Sequence, residues 1–517
     1  MFLHQPNRLF SRSLMITEKH ARLVHFDRSG VYVTPLFSIH KDRELLIRLI
    51  LGLTSPDETV LGLDTSVQWV IDEATGRKVS GTVTVEEYND ETETSTSHTY
   101  DLNMEEAPIV RPGIRGRGTT GWHATDPVTK ESVLIKDAWR TDKRASEVEH
   151  LRTAIGIPGV VQMLAYQDFC AQTRDYRPPG HKSKGFYNRI KLRVVMKKYG
   201  TSIWHFKTRL ELLHALRDVL SGHKALFDRG VLHRDISVEN ILFGSHDAPD
   251  GCRGILIDLD IAVRTEKGVS PLPPSSLTGT RFYQSVSILR APELDPAPPQ
   301  GYLDDLESIF YVLSHLVFLF TRPGVPLTRT PVTLQDWLVE QDSSAAVLKL
   351  GLFLSSIPLG SIPPYWGPTF RTLLEEFRGV IAPVMKQKAV VREGVDMTRA
   401  DQVKAYLEIS QNVDSSYEKV VAAFDKAIAQ VKQEGLRPEE TVQETSPDLR
   451  VTLANADAPP APAQPATPSS APVPSSKKRP SDDGEQGAPY KRRRSDVESS
   501  TKSEVSGSTV TEPSDES

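Results

Sequence analysis

The sequence predicts an α+β protein that ends in a disordered tail. Three observations carry this. Short alternating and β-branched patterns, each the length of a strand, recur through roughly the first 200 residues. Longer apolar helical patterns follow at Leu210–Phe227 and in the run Ile309–Phe320. From about residue 436 the composition shifts to Pro, Ala, Ser and Thr, and aromatics nearly vanish. Such a segment cannot bury enough apolar surface to offset the entropy of folding.

The 517 residues, 38% hydrophobic and 25% charged, supply apolar material for a large core. A net charge of -5 names no partner by itself. Two cysteines, Cys170 and Cys252, make no disulfide framework and suit a reducing compartment. No basic-then-apolar signal opens the chain, and Ile309–Phe320, interrupted by Ser314 and His315, is too short to span a bilayer. The expectation is a protein that is not secreted and has no membrane contact, with nucleic acid an unexpected partner.

In chain order, residues 1–19 read as a ragged, basic, disordered start. Leu23–Phe26 and Val31–Val33 flank Asp27-Arg28-Ser29-Gly30 as a hairpin. Arg43–Leu53 is a short amphipathic helix with Leu45, Leu46, Leu49 and Ile50 on one face, ending near Gly52. Val67–Val85 gives short strands around Gly76 and Gly81, and residues 89–99, almost free of apolar side chains, read as a flexible loop. Gly113–Ala124 then contains G-x-G-x-x-G at Gly116, Gly118 and Gly121. Glycines let a backbone turn tightly and bring bare N–H groups to phosphate oxygens, although the same spacing suits a plain hairpin turn. Ser132–Lys136 is an apolar strand ending in Lys136, whose ammonium can reach a nucleotide's phosphates. Ala145–Ala154 reads as a helix with Val148 and Leu151 inward and Glu147 just before them. Val160–Leu164 is a strand, residues 171–188 a basic insertion around Arg177-Pro178-Pro179-Gly180, and Leu192–Tyr199 a strand leading to Gly200.

The Leu210–Phe227 helix delivers the chain to Val231–Leu242, where His233-Arg234-Asp235 forms a polar turn between apolar pairs and Asn240 follows five residues after Asp235. An Asp on a rigid loop can take a proton from an attacking hydroxyl, and an Asn slightly further on can bind a metal ion held by phosphates. Gly254–Ala262 is an apolar strand ending in Asp258 and Asp260, acids placed beside that loop and suited to a metal. Ser270–Pro274 is loop-like, and Asp304–Leu313 opens a long buried helix. Shorter helices run to about residue 388, and Tyr417, Val420, Val421, Phe424, Ile428 and Val431 form the stripe of a docking helix, too short for a coiled coil. In the tail, Lys477-Lys478-Arg479 and Lys491-Arg492-Arg493-Arg494 are spaced as a bipartite nuclear import signal. A nuclear or nucleocytoplasmic protein that meets importin is the expectation.

Taken in order, these features resemble a protein kinase: a glycine loop, a V-A-I-K-like strand ending in Lys136, a helix Glu, H-R-D-x-x-x-x-N from His233 to Asn240, and Asp258 at the D-F-G position. Gly279-Thr280-Arg281-Phe282-Tyr283-Gln284-Ser285 resembles the end of an activation segment, and Asp305-Leu306-Glu307-Ser308 resembles the casein-kinase start of a helix whose Asp anchors the catalytic loop. His233-Arg234-Asp235-Ile236-Ser237, Phe26-Asp27-Arg28-Ser29-Gly30 and Asp305–Tyr311 together resemble the fungal-type protein kinase family over about residues 20–325.

The resemblance implies a bilobal kinase fold: a family-specific extension at 20–105, an N-lobe at 106–200, a C-lobe at 201–388, a helical extension at 389–435 and the tail at 436–517. It implies ATP and Mg²⁺ as cofactors and transfer to Ser/Thr hydroxyls of protein substrates. Asp235 would be the general base. Lys136 would hold phosphates, paired with Glu147 (Glu149 being the alternative). Gly116, Gly118 and Gly121 would cover the nucleotide, Met196 would lie near the adenine, and Asn240 and Asp258 would bind Mg²⁺.

Four departures stand out. Ser237 replaces the Lys that helps neutralise the transferring phosphoryl group. Leu259 and Asp260 replace the Phe and Gly of D-F-G. The A-P-E position falls at Ser285–Ser287 without its Glu, and the literal Ala291-Pro292-Glu293 reads as coincidence in a proline-rich turn. Two rival readings are therefore carried: a pseudokinase scaffold that binds nucleotide or partners, and a small-molecule phosphotransferase of the aminoglycoside or choline kinase type, against which Gly279-Thr280 speaks.

Overall fold

The chain begins with strands rather than a loose end. In the computed structural model, which describes residues 2–435 except 90–93, 112, 181–182, 184, 267, 276–277, 356, 358 and 395, Phe10–Ile16 (β1) pairs antiparallel with His20–Asp27 (β2). β2 also pairs with Gly30–Val33 (β3) and with Phe37–Ser38 (β4). The expectation of a disordered start fails here because Phe10 is buried, its ring 5.3 Å from His25 and 4.8 Å from Tyr176. Arg43–Leu53 (α1) has the bounds the sequence predicts, but none of its residues is buried. Glu58–Leu61 (α2) follows, capped by the Asp57 carboxylate.

A second, eight-stranded sheet runs in the order β11-β12-β10-β9-β7-β6-β5, with β8 also paired to β9. Its strands are Val67–Ile71 (β5), Lys78–Asn89 (β6), Thr94–Leu102 (β7), Ile109–Val110 (β8), Thr120–Thr125 (β9), Ser132–Thr141 (β10), Met163–Gln172 (β11) and Arg189–Lys197 (β12). The flexible loop expected at 89–99 is thus largely strand. Its threonines are β-branched, and Thr99 pairs with Thr84 across the ladder. The strand expected at Val160–Leu164 instead begins at Met163, and Val160 makes a single bridge to Leu256. The insertion at 171–188 is not a free basic loop: Thr173–Tyr176 forms a turn of 3₁₀ helix, and the buried Arg177 lies 2.8 Å from Asp27 in β2.

Buried charges tie the 64–84 region to this sheet. Arg193 of β12, fully buried, pairs with Asp137 of β10 and Asp64 and donates to Ser66 Oγ and Thr84 O. Lys191 joins the same two carboxylates. Every charge has a partner, which is what makes such burial tolerable.

Glu147–Ala154 (α3) packs beside the sheet with Val148 and Leu151 buried, as predicted. The rest is mainly helical. Arg209–Asp228 (α4) leads to Val231–Leu232 (β13), Ile241–Phe243 (β14), Gly254–Leu256 (β15) and Val263–Arg264 (β16), which form two small hairpin sheets, β13-β16 and β14-β15. Val286–Arg290 (α5) precedes Tyr302–Leu319 (α6), whose every residue is buried. Phe320–Arg322 (β17) and Val325–Pro326 (β18), then Val332–Trp337 (α7), Asp342–Leu354 (α8), Gly367–Glu393 (α9), Arg399–Ile409 (α10) and Val413–Glu434 (α11) complete the described chain.

α9 runs through residue 388, so the boundary expected there falls inside a helix. The stripe Tyr417, Val420, Phe424, Ile428 and Val431 is buried in the same core as α4, α6 and α9, so the docking helix docks on its own chain. No helix among the described residues is long and apolar enough to cross a membrane. The tail and its two basic clusters lie outside the described residues.

Candidate functional site

The glycine loop joins β8 to β9. Gly116 (φ 135°) and Gly118 (φ 49°) take left-handed backbone that favours glycine. Gly121 lies in β9, paired with both Ile109 and Lys136. The β2–β3 turn grips this loop. Arg28 Nη1 donates to Gly113 O at 2.7 Å, and Gly116 N donates to Arg28 O at 3.1 Å. A Cβ at Gly118 would fall 2.4 Å from Arg28 Nε, so the glycine there is needed for close approach as well as for its φ. Arg28 is itself 2% exposed, its guanidinium 4.4 Å from the centre of the Phe2 ring.

Lys136 points from β10 into a cluster of acids. Its Nζ donates to Glu147 Oε2 at 2.8 Å and to Asp258 Oδ1 at 2.7 Å. Burial works against the ammonium, but Asp258 and Glu147 outweigh it and hold Lys136 above its ordinary pKa. Burial pushes Glu147 up, opposed by Lys136, whereas Asp258 is held well below its ordinary value, Lys136 and then Arg117 overcoming its own burial. Glu149, the alternative partner, is exposed.

Two arginines of the loop region also face these acids. Arg117 Nη1 is 2.7 Å from Asp260 Oδ2 and 4.0 Å from Asp258 Oδ2, and Arg111 Nη2 is 3.8 Å from Asp258 Oδ2. Burial lowers the Arg117 pKa, but Asp260, Asp258 and, less strongly, Asp235 more than offset it.

The His233–Asn240 loop is more deeply set. His233, Arg234, Asp235, Ser237 and Asn240 are all buried. Asp305 near the start of α6 accepts from His233 N at 3.1 Å and Arg234 N at 3.2 Å, and His223 of α4 holds the same carboxylate at 2.9 Å. That is the anchoring the casein-kinase-like helix start implies. Arg234 takes a left-handed φ of 71° and donates to Gln300 Oε1. Asp235 Oδ1 accepts from both Thr280 N and Thr280 Oγ1 at 2.7 Å. Asn240 Nδ2 donates to Asp235 O at 2.8 Å, which turns its amide oxygen away from that bond and leaves it available as a metal ligand.

The two halves are stitched together between the loop and β15. Ile257 N donates to Asn240 O at 2.9 Å, and His233 Nε2 lies 3.0 Å from Ile257 O. Asp258 therefore leaves its strand directly beside Asn240, in left-handed backbone (φ 68°). One carboxylate and one amide oxygen suit Mg²⁺, which keeps waters and phosphate ligands. No group of three or more His, Cys, Asp or Glu among the described residues could hold a metal by itself. Met196 ends β12 opposite Leu134 and Met163, buried in a cluster with Leu259 and Ile257.

The literal Ala291-Pro292-Glu293 is a short turn with Pro292 and Glu293 exposed. At Ser285–Ser287 the missing Glu is replaced by other ties: Ser285 Oγ donates to Asp304, Val286 N donates to Glu307, and Lys388 donates to Ser287 Oγ at 2.9 Å.

Sequence reasoning missed Arg28, Arg117 and Thr280. The only signals were the charged residue between two glycines and the extra acid at 260.

Two comparisons bear on this site. A family model described as fungal protein kinase matches residues 1–317. A probable casein kinase I homolog of Encephalitozoon cuniculi is 31% identical over 101 residues, 19% of this chain and 28% of that relative, so the chain spans less than a third of it.

Proposed function

We propose that this chain, which belongs to the fungal protein kinase family, transfers the γ-phosphate of ATP to Ser/Thr hydroxyls of protein substrates. The observation that carries the reading is the Lys136–Glu147–Asp258 cluster set beside the Asp235–Asn240 loop. Strands β8 to β12 with α3 then act as the N-lobe of a bilobal fold and the helices from α4 onward as the C-lobe. Met196, at the end of β12, meets the adenine.

Asp235, oriented by Thr280, takes the hydroxyl proton. Lys136 binds phosphate oxygens and is itself positioned by Glu147. Gly116, Gly118 and Gly121 present backbone N–H groups to the phosphates. Asn240 and Asp258 would hold Mg²⁺, which when bound screens charge on the phosphates. The rest is positioning: anchored by Asp305, the catalytic loop keeps Asp235 in place without reorganising.

The test is incubation of the purified chain with Mg²⁺ and γ-labelled ATP, alone and with a mixed Ser/Thr peptide library. Label on Ser or Thr supports the reading. No label, with stabilisation to heat by Mg·ATP retained, favours the scaffold reading, which Ser237 motivates. Label on a small alcohol but on no peptide favours the small-molecule phosphotransferase.

A further inference from the structure

Two departures from the general kinase pattern meet at one side chain. Ser237, buried two residues after Asp235, removes a cation from the site, and Asp260 adds an anion to it. Arg117 lies between Gly116 and Gly118 and answers both. Its carbonyl is fixed by Trp139 N at 2.8 Å, Gly116 before it is hydrogen-bonded to Arg28 O and Gly118 after it abuts the Arg28 side chain, and its guanidinium is fixed by Asp260 at 2.7 Å. The side chain is still 35% exposed, so a ligand can reach it. Arg111 is a weaker candidate: its side chain is 51% exposed and no closer than 3.8 Å to an acid.

We propose that Arg117 supplies the cation missing at Ser237: steered by Asp260, its guanidinium binds the γ-phosphate as it transfers. The inference rests on the kinase reading above. The hydroxyl oxygen of the substrate bonds to the γ-phosphorus, and the bond from that phosphorus to its bridging oxygen breaks, its electron pair leaving on ADP. The hydroxyl proton goes to Asp235. Arg117 gives up no proton. It offers a planar fork of N–H donors that matches phosphate oxygens and a charge that strengthens as those oxygens become more negative. Asp260 is then a positioning residue that keeps the fork over the site. The competing assignment is a latch, in which Arg117 only blocks the acids and must be expelled by nucleotide.

The experiment uses the full chain as wild type, Arg117→Ala, Arg117→Lys, and Arg117→Ala combined with Ser237→Lys. It reads kcat with Mg·ATP and the affinity for Mg·ADP with and without aluminium fluoride, which mimics the transferring phosphoryl group. Arg117→Ala is expected to lower kcat about 10²- to 10³-fold, to change Mg·ADP affinity by no more than about threefold, and to abolish most of the tightening from aluminium fluoride. Arg117→Lys and the double variant should each recover part of both losses. Full tightening in Arg117→Ala, or turnover equal to or faster than wild type, overturns the proposal and leaves a latch. Failure of the kinase reading itself looks different: the wild type then shows neither transfer nor tightening, and both fall.

Discussion

The catalytic loop and the glycine loop are held in opposite ways. The catalytic loop is buried, and its backbone is fixed from the core by Asp305 of α6, whose carboxylate His223 secures in turn. The glycine loop is fixed from outside, by a turn of the N-terminal sheet through Arg28 and by ion pairs from Arg117 to the acids below. The proposed phosphoryl transfer would ask for this division: a base that does not move, and a cover that opens to admit and release nucleotide. The difference predicts that damage to the first loop costs stability and chemistry together, and that loosening the anchors of the second, as distinct from removing Arg117 itself, mainly costs nucleotide handling.

Among the residues that anchor the two loops, the largest effect should come from Asp305. Asp305→Ala leaves two buried N–H groups and His223 without their acceptor, and urea unfolding should show a loss of about 3–5 kcal/mol. Asp305→Asn keeps the shape, so a folded protein with transfer lowered about 10²-fold is expected from loop misplacement. Equal activity in the Asn variant would break the comparison on its core side.

Next is Lys136→Met, which leaves Glu147 and Asp258 facing the site without the ammonium between them. Transfer should fall about 10²-fold or more, with weaker Mg·ATP binding by calorimetry. Arg28→Ala should do less. It removes the bond to Gly113 O and the contact with Phe2, about 1–3 kcal/mol together, and steady-state kinetics should show KM for ATP raised several-fold with kcat little changed. A fall in kcat equal to that of Asp305→Asn would erase the distinction between the two loops.

A separate effect, on stability rather than on transfer, is pH dependence. His315 of α6 is buried, its Nδ1 2.7 Å from the Tyr283 hydroxyl, and burial lowers its pKa from 6.5 to about 3. The unfolded chain therefore binds the extra proton between pH 6.5 and about 3, so this group's stabilisation is present above 6.5 and is lost as pH falls through that window, by at most about 1.4 kcal/mol per pH unit. Glu307, raised by burial to about 7 from 4.5, acts with the opposite sign: its contribution is full below 4.5 and is lost as pH rises to about 7. Comparing urea midpoints of wild type and His315→Gln from pH 7 to 4 isolates the histidine. The wild type should lose more than the variant.

What was legible in the sequence follows the same division. His233, Asp235, Asn240 and Asp258 lie on short segments whose spacing is set by one loop and one strand end, so the pattern could be read locally. Lys136 and Glu147 were legible because a strand and the next helix bring them together over eleven residues. Arg28 was not, because its target lies 85 residues away and nothing in a turn such as Asp27-Arg28-Ser29-Gly30 announces what it touches. The strand at residues 94–102 escaped for a related reason: a polar strand owes its order to partners across the sheet rather than to its own apolar pattern. The stripe of α11 was visible, but which surface it covers is a tertiary fact.

The most direct test of the central claim is label transfer from Mg·ATP by the wild type and by Asp235→Asn, with the protein itself and mixed peptides as acceptors. Incorporation on Ser or Thr by the wild type is expected, and its loss, by about 10²-fold or more, in a variant that is still stabilised by Mg·ATP. Equal incorporation by both, or none by either, would contradict the assignment of Asp235 as the base of a working transfer site.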